Sequence, residues 1–147
     1  MNKRRTVSRI SVTLCCILFL SCFVTVKADT PDIKPYSSSV FSSYSAYASC
    51  PGTGKITGSI WVSIRSDIRP AVLAGVKYMK LQYLSGGTWT TERTYPQAYS
   101  TGCNEFSKTY NLTATSGRTY RFAFTMYGLA GGESSEVTYY SNSVYIR

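Results

Sequence analysis

The sequence predicts an all-β protein, a two-sheet antiparallel β-sandwich of about seven strands with Greek-key connections and one disulfide. Three observations carry that prediction. Apolar residues after residue 39 recur with a period of two, which buries one face of a strand. Clusters of Gly, Pro and Ser separate these runs at hairpin spacing. No segment of useful length shows a helical period.

The first 28 residues stand apart. Lys3, Arg4, Arg5 and Arg9 precede an apolar run from Val12 to Val26, and Val26-Lys27-Ala28 ends it as a small-residue cleavage site, so residues 1–28 read as a secretory signal peptide. Lipidation at Cys22 is the competing reading; Phe19-Leu20-Ser21-Cys22 fits it poorly because the apolar run continues past the cysteine. Residues 29–38 carry two prolines and three charges and are expected to be a flexible lead-in, with the sandwich domain at residues 39–147. Five of the 16 basic residues and none of the 7 acidic ones lie in the leader, leaving 11 basic residues against 7 acidic, a net +4. With export, so mild a charge argues against a nucleic-acid partner and is compatible with loose attraction to an anionic cell wall or membrane surface; with the leader removed, no stable membrane insertion is expected. The expected location is extracellular or cell-wall associated.

Along the mature chain, Val40 to Cys50 alternates, with Val40, Tyr44, Ala46 and Ala48 on one face and Phe41, Ser43, Ser45 and Tyr47 on the other. Pro51-Gly52-Thr53-Gly54 turns the chain. Ile56, Gly58, Ile60, Val62 and Ile64 form the firmest inward stripe and place Trp61 and Arg65 outward. Residues 67–75, with Pro70, read as a connection. Val76 to Leu84 turns at Ser85-Gly86-Gly87 into Thr88 to Tyr95; Pro96 ends that strand, and a loop carries Cys103. Glu105 to Leu112 leads through Thr115-Ser116-Gly117 to the expected central strand. There Tyr120, Phe122, Phe124 and Met126 alternate with Thr119, Arg121, Ala123 and Thr125. Val137 to Ile146 closes the count, its phase unclear because Tyr139, Tyr140, Val144, Tyr145 and Ile146 are consecutive or nearly so.

Cys50 and Cys103 remain once the leader is removed. An even pair in an oxidising compartment predicts a disulfide, closing a loop of about fifty residues for about 4 kcal/mol. The chain has no histidine, which removes the usual general base, the Ser-His and Cys-His pairs and the commonest metal ligand. Glu133 and Glu136 are the closest carboxylate pair, but their Gly- and Ser-rich surroundings offer no apolar pocket to raise an acid's pKa. No phosphate-cradling loop and no zinc or calcium spacing is present, so neither catalysis nor a cofactor is expected.

What remains is aromatic. The chain holds 13 Tyr and 2 Trp, more than a core this size takes with every polar tip satisfied. Phe41, Tyr47, Trp61 and Arg65 are expected outward on one sheet, and Tyr78, Gln82, Arg121 and Tyr127 on the other. The first group is the candidate binding surface, Trp61 foremost. The expected function is a non-catalytic secreted binding module for a cell-wall glycan or an extracellular protein, with a small secreted toxin or antimicrobial as the alternative.

Leu81-Gln82-Tyr83 with Gly86-Gly87-Thr88-Trp89 resembles the C to C′ hairpin of fibronectin type III domains. Leu112 followed by Tyr120 is similar to their tyrosine corner, and Gly131-Gly132 before Ser134-Ser135 resembles their F to G turn. The resemblance spans roughly residues 56–146 and implies a Greek-key sandwich. Trp61 on the outward phase and the cysteine pair depart from that pattern, so an immunoglobulin-like arrangement stays open. Leu81-Gln82, Trp89, Tyr120-Arg121 and Tyr140-Ser141-Asn142 are also similar to small exported proteins of Gram-positive bacteria, which implies a compartment and a fold and no chemistry.

Overall fold

The computed structural model describes residues 34–35, 38–68 and 70–147. The expected signal peptide and most of the lead-in lie outside the described residues. Among the described residues, ten strand segments run in order: β1 (Lys34–Pro35), β2 (Phe41–Gly52), β3 (Lys55–Ile64), β4 (Ala71–Ser85), β5 (Thr88–Tyr95), β6 (Ala98–Thr101), β7 (Glu105–Thr113), β8 (Thr119–Ala130), β9 (Glu133–Tyr140) and β10 (Val144–Tyr145). Among the described residues there is no helix.

Two antiparallel sheets form. Sheet A has the order β1-β2-β3-β7; sheet B has β10-β8-β4-β5, with β6 also on β4 and β9 also on β8. The stripe read from β3 holds throughout: Ile56, Ile60, Val62 and Ile64 are buried, and Trp61 lies on the outer side. In β8, Tyr120, Phe122, Phe124 and Met126 are fully buried. At about 1.5–3 kcal/mol per fully buried large apolar side chain, this strand supplies a large share of the driving force. It is flanked by β4 on one side and by β9 and β10 on the other, which makes it the central strand of sheet B.

Three differences from the sequence reading have local causes. Residues 71–75 belong to β4, where Gly75 lets β6 approach: a Cβ there collides with the Ala98 carbonyl and the Tyr99 Cα. The last expected strand is broken at Ser141–Ser143, so β9 and β10 pair with separate stretches of β8. In the break, Asn142 reaches across to sheet A, accepting from the Ala48 amide at 2.7 Å and donating to the Ala48 carbonyl at 2.9 Å. One side-chain amide thus does for β2 what a neighbouring strand would do. Within the stretch expected as lead-in, Lys34 and Pro35 pair with Tyr44 and Ser43. Ser38 is buried, its hydroxyl accepting from the amides of Val40 and Phe41 and donating to Ser135.

The disulfide is a correction. Cys50 and Cys103 are free thiols, and the register explains why. Cys50 follows Ser49, which faces Thr57 near the start of β3; Cys103 precedes Glu105, which faces Ser63 near its end. Six residues of extended chain separate these rows, roughly 20 Å at about 3.4 Å per residue. A disulfide needs Cα atoms within about 7 Å. The Cys50 thiol instead donates to the Gly52 carbonyl.

Candidate functional site

The outer face of sheet A is built from rows that the pairing sets side by side. Ser45, Trp61 and Ser107 make one row; Tyr47, Ser59 and Thr109 the next; Ser49, Thr57 and Asn111 the third. None of the nine carries a charge. The Thr57 hydroxyl donates to Asn111 Oδ1 at 2.9 Å, and the Ser59 and Thr109 hydroxyls lie 3.2 Å apart, so the polar groups form an ordered cross-strand ladder.

Trp61 is half-buried, and the residues beside it on both neighbouring strands are serines, too short to wall off the indole. Tyr47 is 44% exposed and sits diagonally from Trp61, about 7–8 Å away by sheet geometry. A cleft of about 450 Å³ continues the face past the third row, with Thr57 and Asn111 on one side and Pro51 and Leu112 among its apolar walls. The result is a surface whose three rows carry two rings and many hydroxyls and no charge, with a recess at one end that Lys55 borders.

Two of the four residues expected here do not join that surface. Phe41 is fully buried. The pairing runs from Phe41↔Ile64 to Ser43↔Ser63, so Ser42 is an extra residue in a β-bulge, and the alternation reverses there. Both Phe41 and Tyr44 therefore point inward, their rings edge to face at 6.4 Å, and the Phe41 ring lies against Gly128. Arg65 lies past the end of β3, four residues from Trp61, and is held by Asp67 through Nε at 3.0 Å and Nη2 at 2.5 Å. The mutual hydrogen bond raises the pKa of Arg65 and lowers that of Asp67. Both are open to solvent, so the pair adds little stability.

The outer face of sheet B has a different chemistry. Arg121 lies between two rings, its guanidinium carbon 4.3 Å from the Trp89 ring and 4.1 Å from that of Tyr140. Its Nε donates to Gln82 Oε1 at 2.9 Å, and Gln82 Nε2 donates on to Thr91. Desolvation lowers the pKa of Arg121, with Tyr140 opposing. Two residues along β4, Lys80 stands over the Tyr78 ring at 5.3 Å. Both sit beside a cleft of about 550 Å³ that Thr94, Tyr95 and Pro96 complete. The sequence placed Tyr78, Gln82 and Arg121 outward. It did not join Arg121 to Trp89 and Tyr140, because that contact depends on the register of strands far apart in the chain.

Elsewhere, Glu136 is paired with Lys77 at 2.6 Å, and Glu133 is exposed at the start of β9. Among the described residues, no cluster of three or more Cys, Asp or Glu side chains is arranged to hold a metal ion. Comparison of the chain with models of known families, with curated proteins and with solved structures finds no match.

Proposed function

We propose that the protein is a non-catalytic, secreted binding module whose sheet A face takes a neutral glycan of a cell surface. One observation carries this reading: Trp61 and Tyr47 lie on a flat field of Ser, Thr and Asn with no charge in its three central rows. Sugar rings offer an apolar C–H face and a rim of hydroxyls. Flat amphipathic rings beside hydroxyl groups suit both, the first by stacking and the second by hydrogen bonding. The absence of histidine and the separate engagement of Glu136 by Lys77 and of Glu92 by Tyr120 and Arg93 support a binding role over a hydrolytic one.

The same reading takes the architecture as fibronectin type III-like, with Greek-key connections. The strand order β2-β3-β7 against β9-β8-β4-β5 supports it. So does Tyr120, whose hydroxyl accepts from the Thr115 amide five residues upstream, as a tyrosine corner does. Export remains part of the proposal on the strength of the leader sequence alone.

Pull-down on isolated cell walls and binding to an array of neutral glycans test the site. Wild type is expected to be retained, and Trp61→Ala to bind about tenfold or more weakly, the loss typical of a truncated aromatic anchor. Equal binding by the two proteins contradicts the assignment.

A further inference from the structure

The outer face of sheet B carries a second arrangement that the neutral-glycan reading leaves unused. Arg121 is clamped on both sides by the rings of Trp89 and Tyr140, and its Nε is committed to Gln82. Gln82 is itself held by Thr91, so the guanidinium plane is fixed from three strands. Such a clamp leaves the edge bearing the two terminal nitrogens as the group's free hydrogen-bonding side. That edge matches a carboxylate in two parallel bonds. The ion pairs among the described residues are Arg65–Asp67, Lys77–Glu136 and Arg93–Glu92, which leaves Arg121 and Lys80 without a carboxylate. Lys80 precedes Gln82 by two residues, at the adjacent outward position of β4, roughly 7 Å along the strand. It borders the cleft with Tyr78 and Pro96, whose flat apolar surfaces suit a sugar ring.

We propose that this face binds an acidic polysaccharide, with a ring carboxylate on the terminal nitrogens of Arg121, a second anionic group on Lys80, and a further sugar, beyond Lys80, packed against Tyr78 and Pro96. The charge is complementary, the receptor is ordered before binding, and the site lies on the opposite side of the sandwich from Trp61. It therefore stands or falls separately from the sheet A reading.

Affinity electrophoresis through gels containing polygalacturonate tests it, with fully methyl-esterified polygalacturonate as the same polymer without charge, and polyphosphate as an anion without sugar. Wild type is expected to be retarded by polygalacturonate only. Arg121→Lys, which keeps the charge and loses the planar fork, and Lys80→Gln, which leaves the stack intact, should each weaken binding about fivefold to tenfold. Arg147→Gln, an equal loss of charge elsewhere, should change it less than about twofold. Thermal melts of each variant establish that it is folded. No retardation of wild type, or equal losses in Lys80→Gln and Arg147→Gln, overturns the site. Retardation by polyphosphate as strong as by polygalacturonate overturns the polysaccharide in favour of a general polyanion surface.

Discussion

The Phe122 ring of sheet B lies so close to the Gly58 backbone of sheet A that a methyl group on Gly58 would stand 2.5 Å from the ring. In β3, Gly58 faces Ala48 on one side and Tyr110 on the other, so a hollow opens where two small residues meet, and Phe122 fills it. Gly58→Ala forces that ring off its seat and is expected to cost about 1–3 kcal/mol in urea denaturation. Gly52→Ala, with nothing within 4 Å, should change stability by less than about 0.5 kcal/mol. Equal costs at the two positions contradict this packing.

Two buried tyrosines differ in what their hydroxyls meet. The Tyr110 hydroxyl is buried with no hydrogen-bond partner among the described residues, whereas that of Tyr120 accepts from Thr115 and donates to Glu92 at 2.6 Å. Tyr110→Phe should be neutral or stabilising by up to about 1 kcal/mol, and Tyr120→Phe should cost about 1–3 kcal/mol. Burial also raises the Tyr110 pKa above the ordinary 10.0. The neutral phenol is thus favoured in the folded state; its contribution is complete below pH 10 and is lost as pH rises from there through the folded value. Tyr110→Phe should flatten the alkaline fall in stability, leaving the part due to Tyr99, whose pKa burial raises as well. A steeper fall in the variant contradicts the assignment.

Among the described residues, β7 is an uncovered edge of sheet A. Its inward phase runs Phe106, Lys108, Tyr110, and Lys108 opposes Ile60 yet stays exposed, its ammonium 5.1 Å from the Tyr110 ring. A charge on the core-facing phase of an edge strand obstructs pairing with another chain. Lys108→Val should associate at concentrations where wild type does not, as followed by light scattering across a dilution series. Identical scattering from both proteins contradicts that role.

The thiols give a direct check on the register. In the chain from residue 29, both cysteines should react with a thiol reagent without prior reduction, the exposed Cys103 first and the half-buried Cys50 more slowly. Intact mass should not change on reduction. A protein that reacts only after reduction contradicts the pairing of β3 with β2 and β7.

The sequence made β3 and β8 legible because their alternation runs unbroken past every core position. β2 carries the same signal but contains a bulge at Ser42, and an extra residue reverses the alternation without marking itself by composition; Phe41 was misplaced for that reason alone. The cysteines misled because their even number and compartment bear on whether a disulfide is favourable, while the distance between them is set by three strands in register. The same limit hid the clamp on Arg121, whose rings come from β5 and β9. Trp61 needed only the local phase of β3, so its exposed face was readable; the hydroxyl ladder around it emerged once β7 was laid beside that strand.

Trp61 and Trp89 are the only tryptophans in the chain, so Trp89→Phe leaves the indole at the centre of sheet A as the sole reporter. Its emission, titrated with a soluble neutral N-acetylglucosamine oligomer, is the most direct measurement of whether that face takes a sugar. The account predicts a saturable blue shift that Tyr47→Ala weakens. An emission spectrum that stays unchanged to millimolar oligomer contradicts it.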